Sequence, residues 1–131
     1  MDTIKHNDDE YAMCEYVLSS FLRSEFIITE RSDYITKTKR NEEALKSKTT
    51  ERKLDIAERE LDKAIKRQQA VLDTLQELTD TENIVYYAYY VHKMTTNEVA
   101  YLLNISRRQV IRIKHNIVNK CYTNCKQYDI M

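Results

Sequence analysis

The chain has 131 residues, with 21 basic and 21 acidic side chains, 42% hydrophobic residues and neither glycine nor proline. That length holds one domain of ordinary size, or a small domain beside a long helix. Without glycine or proline, tight glycine turns, flexible Gly/Ser linkers, collagen-like repeats and phosphate-cradling loops are excluded, and the 32% of charged residues then points to an all-α protein.

The neutral total hides a gradient. Residues 1–36 carry three basic and eight acidic side chains, a net −5. Residues 93–131 carry seven basic and two acidic ones, a net +5. Such a polarity suits a basic reader of nucleic acid at one end and an acidic element at the other.

Residues 1–35 form the first expected unit. Tyr11, Cys14, Val17, Leu18, Phe21, Leu22 and Phe26 recur at helical spacing, predicting one amphipathic helix from about Asp8 to Ile28. Met13, Tyr16 and Ile27 widen its apolar sector, so it needs a substantial surface to pack on.

Residues 36–78 form the second, a long charged helix. Leu54, Ala57, Leu61, Ala64, Gln68, Val71, Leu75 and Leu78 alternate in steps of three and four, the a/d seam of a coiled coil. Two alanines and Gln68 weaken that seam. Self-dimerisation through 54–78, or through the N-terminal helix, is slightly favoured over packing on the N-terminal helix of the same chain. Upstream, Ser47, Thr49 and Thr50 mark a place for the helix to break or bend.

Residues 79–122 form the third unit, a three-helix domain, and 123–131 a frayed tail. Thr79 with Glu82 matches the S/T-x-x-E/Q capping box, and Ile84, Tyr87, Ala88 and Val91 then line a helix ending near Lys93. Tyr86, Tyr87, Tyr89 and Tyr90 read as aromatic core with hydroxyls at its rim; stacking on a base is the alternative. Two more capping boxes follow, Thr95 with Glu98 and Ser106 with Gln109, each with a hydrophobic staple: Met94 with Val99, Ile105 with Val110. They demarcate two short helices around a corner at Leu103, Asn104 and Ile105. The corner calls for a positive φ, which asparagine tolerates best after glycine. Small Ala100 lets the helices cross closely. This is the pattern of a helix-turn-helix.

On the second helix, Ser106 to Ile117, the expected outward face is Ser106, Arg107, Arg108, Ile111, Arg112 and His115. Arg107, Arg108, Arg112 and Lys114 give it four basic residues and no acidic one. Guanidinium groups suit guanine edges and phosphates alike. Arg107, Arg108 and Arg112 are expected to contact base edges and phosphates. Gln109 caps and touches a phosphate, and Lys114 and His115 lie along the backbone. The Thr96 and Asn97 amides, at a helix start, suit a phosphate.

The run from Tyr87 to Ala100, followed by Leu102 to Val110, resembles sigma-factor region 4-like helix-turn-helix domains. More narrowly, it is similar to phage-encoded regulators of the ArpU and RinA type from low-GC Gram-positive bacteria. That resemblance implies a helical, charge-rich N-terminal half, a C-terminal DNA-binding domain, and activation of late phage genes or related operons. It departs from relatives in having Met94 and Asn104 where glycine is common.

The expected function is therefore sequence-specific binding of double-stranded DNA in transcription regulation, with two copies on a repeated or palindromic site. Two rivals remain: a DNA-packaging or replication accessory, and a sigma-mimicking module that docks on RNA polymerase without reading DNA. An enzyme is not expected, because His6, His92 and His115 are scattered and no nucleophile stands beside a base. No cofactor is expected. Cys121 and Cys125, even with Cys14 and His115, fit no structural zinc spacing, so no metal is expected either. An odd number of cysteines, a strongly acidic start and no long apolar run point to a reduced bacterial cytoplasm, with no membrane partner.

Overall fold

A computed structural model describes residues 8–130, and these are helical apart from short connections and the last three residues, with no strand among them. His6 and the start of the N-terminal unit lie outside the described residues, as does Met131. The helices are α1 (Asp8–Ser19), α2 (Phe21–Arg40), α3 (Glu42–Leu45), α4 (Lys48–Glu77), α5 (Asp80–Tyr86), a π-helical turn (Tyr87–Val91), α6 (Thr96–Leu103) and α7 (Arg107–Gln127).

The single helix expected over Asp8–Ile28 is instead two, broken at Ser20, and the second runs on to Arg40 across the expected boundary at 35/36. Serine chemistry accounts for the break. Ser19 Oγ donates to the Glu15 carbonyl (2.6 Å), Ser20 Oγ to that of Val17 (3.2 Å) and Ser24 Oγ to that of Phe21 (2.6 Å). Hydroxyls bonding back into the ladder compete with it and bend it.

Helix α2 stops at Asn41, whose side chain accepts from the Ala44 amide and caps the single turn α3. Ser47 then caps α4, accepting from Thr50. The hydroxyl cluster therefore does break the chain, and the long helix starts at Lys48 rather than near Thr36. Helices α2 and α4 run antiparallel: Gln68 Nε2 reaches Ser24 Oγ (2.9 Å) and Glu25 Oε1 (3.1 Å), while Lys39 pairs with Glu58 (2.9 Å). The heptad seam thus meets the N-terminal half of its own chain, and its polar residue, Gln68, is satisfied there.

One core gathers Val17 and Leu18 of α1, Ala70 and Val71 at the end of α4, Val85 and Tyr86 of α5, and Val99 of α6 around α7, which contributes Val110, Ile117 and Val118. Two polar groups inside it are paired: Asn124 Nδ2 donates to Thr74 Oγ1 (2.9 Å), which itself donates to the Ala70 carbonyl (2.8 Å). The expected fraying after Tyr122 does not occur. Asn124 and Cys125 are buried, the helix persists to Gln127, and Tyr128 and Ile130 pack against the core.

The π-helical turn was invisible in the sequence, which predicted an ordinary helix to Lys93. His92 N–H bonds to the Tyr87 carbonyl (2.8 Å), Met94 N–H to that of Ala88 (3.0 Å), and Lys93 takes φ 58°. The widened turn places Tyr86 and Tyr90 both inside. Tyr86 Oη donates to the Leu18 carbonyl (3.1 Å) and Tyr90 Oη to Glu15 (2.9 Å), so the aromatic knot fastens α1 to the domain. Burial first, then Glu15, pushes the Tyr90 hydroxyl far above its ordinary range, and burial raises Tyr86 to about 12. Tyr87 is the member left exposed.

Candidate nucleic-acid interface

Three reciprocal capping boxes start α5, α6 and α7. Thr95 N–H donates to Glu98 Oε1 (2.9 Å) and Glu98 N–H to Thr95 Oγ1 (3.2 Å). Ser106 N–H donates to Gln109 Oε1 (2.9 Å) and Gln109 N–H to Ser106 Oγ (3.1 Å). Thr79 and Glu82 do the same, and Lys120 Nζ adds a 2.6 Å contact to Glu82 Oε1. Desolvation works against the ionised Glu82 carboxylate, but the bonds from Lys120 and Thr79 outweigh it and hold Glu82 below its usual range. Glu98 is held low as well, by the bonds from Thr95.

The corner closes as the sequence predicts. Asn104 has φ 55° and ψ 46°; its N–H bonds to the Tyr101 carbonyl (3.2 Å), and Ile105 N–H to that of Ala100 (3.0 Å). This pair of bonds is the Schellman motif, here built on asparagine in place of glycine. Buried Val99, Ala100 and Val110 lock the two helices together at the angle the corner sets.

Ser106, Arg107, Arg108, Gln109, Arg112 and His115 are exposed on α7, and Ile111 is half-buried. Among the described residues no carboxylate pairs with Arg107, Arg108 or Arg112. Gln109 spends its carbonyl oxygen on the cap. The His115 ring meets Tyr11 edge-on, with centroids 5.3 Å apart.

Lys114 departs from the expected backbone position. Its side chain is only 12% exposed, with Nζ 3.7 Å above the Tyr89 ring and 3.9 Å from Glu15. The cause is helical periodicity: position 114 follows buried Val110 by four and precedes buried Ile117 by three, so it falls on the inward face. Lys114 helps to hold α1; it does not project from the basic surface.

At the start of α6 the leading amides of Thr96 and Asn97 point out along the helix axis. They open onto a groove of about 760 Å³ bounded by Lys93, Asn97 and Arg107 on one side and by Ala12, Glu15 and Ser19 of α1 on the other. The sequence marks Lys93 only as a helix end. Its left-handed backbone turns it toward this groove, and only its position just before a capped helix hinted at that.

Tyr101 is 91% exposed, and Ile84, Tyr87 and Leu102, also open to solvent, line an apolar depression with Met94 and His92. Among the described residues no helix is long and apolar enough to cross a membrane.

No curated protein and no solved structure matches the chain. A family model does: the one described as sigma-70, region 4, over residues 74–123. By corner, caps and sequence alike, that stretch forms a helix-turn-helix domain similar to sigma-70 region 4, a DNA-binding fold.

Proposed function

We propose that this chain is a sequence-specific transcriptional regulator that reads the major groove of double-stranded DNA with the first turns of α7. The observation that carries the reading is the set of three exposed arginines, Arg107, Arg108 and Arg112, with no carboxylate partner among the described residues and held beyond a left-handed corner. Arg108 takes base edges, Arg107, Arg112 and Lys93 take phosphates, and the Thr96 and Asn97 amides take a further phosphate at the positive end of α6. His115 and Ser106 flank that contact surface. On this reading the chain acts by binding and not by catalysis.

The resemblance to ArpU- and RinA-type regulators supports a role at phage late genes or related operons. Two copies on neighbouring half-sites would supply the specificity that one small unit lacks. Since α2 covers the seam of α4, pairing falls to the exposed flank of that helix, at Ile65 and Leu72. Sedimentation of the full chain and of Ile65→Glu checks this: a dimer that the substitution dissociates is expected, whereas a large ring would favour DNA packaging.

A second reading rests on Ile84, Tyr87 and Leu102, which line an apolar depression that suits a protein partner such as RNA polymerase. The deciding experiment is selection of bound duplexes from a random pool, followed by titration of the winner. Tight binding that Arg108→Ala weakens by ~1–3 kcal/mol, with relaxed preference at one base pair, is expected. If no duplex binds even at low salt, where phosphate contacts are strongest, the DNA-reading assignment fails and the polymerase-docking one takes its place.

A further inference from the structure

All three cysteines of the chain meet at one point in the core. Cys121 and Cys125, one turn apart, stack their sulfurs on one face of α7 at 3.9 Å, and Cys14 reaches the same place from α1. The three sulfurs lie within 4.8 Å of one another, every one of these residues is 0% exposed, and none is in a disulfide. Spacing alone does not bring the three together, because Cys14 is separated from its partners by more than a hundred residues. His115, considered beside them on sequence grounds, is not in the group.

Single buried cysteines are ordinary small hydrophobes. Three in mutual contact present something more specific, a triangle of soft donors. A metal–sulfur bond of about 2.3 Å places the sulfurs of a trigonal set roughly 4 Å apart, close to the spacing this core already holds. Structural zinc asks for a fourth ligand, and among the described residues no histidine or carboxylate joins the group. Thiolate donors without oxygen or nitrogen partners select Cu(I) among the biological metals.

We propose that Cys14, Cys121 and Cys125 form a buried three-sulfur site for one Cu(I) ion, whose binding ties the N-terminal helix to the helix that carries the arginines. As each sulfur binds it gives its proton to solvent; the ion arrives as Cu(I) and stays so, and no electron is transferred. Entry requires α1 to lift from α7, since the site is closed to solvent.

The test uses the full-length reduced protein, titrated anaerobically with Cu(I) against a competing chelator. One ion per chain, a sulfur-to-metal charge-transfer band, X-ray absorption giving three sulfur neighbours at about 2.3 Å and a raised melting temperature are expected. Cys14→Val, which refills the space with an apolar side chain, should lose at least tenfold in retention of the ion while its circular dichroism stays native. Copper held equally by that variant, nitrogen or oxygen neighbours in the absorption spectrum, or no uptake in competition would each overturn the proposal. So would a clear preference for Zn(II) in a four-coordinate set. Should Cys14→Val fail to fold, the ligand count on the wild-type protein decides alone.

Discussion

Lysine 114 and arginine 112 sit two positions apart on one helix and play different parts. Lys114 lies over Tyr89 beside Glu15, away from solvent, whereas Arg112 is exposed. Lys114→Ala should therefore lower stability by about 1 kcal/mol, the scale of a partly desolvated cation–π contact, and leave the salt dependence of DNA binding unchanged. Arg112→Ala should do the reverse: melting unaffected, and the slope of log K against log salt smaller by about 1. Thermal melts and binding titrations at several salt concentrations separate the two, and equal salt slopes in both variants would contradict the assignment. Asn104 offers a second check on a single residue. With φ 55° it occupies a region that costs most side chains more than asparagine. Asn104→Ala should destabilise the chain by ~1 kcal/mol in denaturant titration, and Asn104→Gly should be neutral or better.

Among the elements, α5 and α7 are joined by a charge as well as by packing, through Glu82 in the Thr79 box and Lys120. Glu82 is held below its usual range in the folded chain, so its ionised form stabilises the fold at pH above the ordinary glutamate value of about 4.3, and that contribution is lost as the pH falls through the lowered folded value. Glu82→Gln should accordingly be less stable than wild type at neutral pH, with the gap closing in acid. Melting curves from pH 7 down to about 3 would show it, and a gap that persists at the acid end would contradict the role given to the ion pair. The same elements show where sequence reading works. The caps and the Asn104 corner are local, set by residues three to five apart, and they appear where the sequence puts them. The break at Ser20 was also local, but it depends on serine hydroxyls choosing the ladder over solvent, which spacing does not reveal. Spacing does not set the π-helical turn, which widens a helix with no residue to mark it, nor the meeting of the three cysteines, which depends on α1 packing against α7 across most of the chain's length.

For the molecule as a whole, the heptad seam carried an ambiguity that no helical period could resolve: a stripe of leucine and alanine fits a second copy of α4 as well as it fits α2. Folding back wins here because the connection through α3 is short, so that closing the hairpin costs little entropy compared with gathering two chains. The result is a lopsided body. None of residues 36–69 is buried, while α7 is enclosed over most of its length by α1, α4, α5 and α6. Local stability follows buried apolar contact, so the far end of the hairpin should open far more readily than the three-helix domain. Amide hydrogen exchange followed by mass spectrometry should show residues 41–56 losing protection first and residues 110–125 last, with the two rates separated by orders of magnitude. Reducing agent should be present so that the cysteines stay as thiols. Uniform protection along the chain would mean that something covers the outer hairpin in solution, and the lopsided body described here would have to give way to an assembly built through that end.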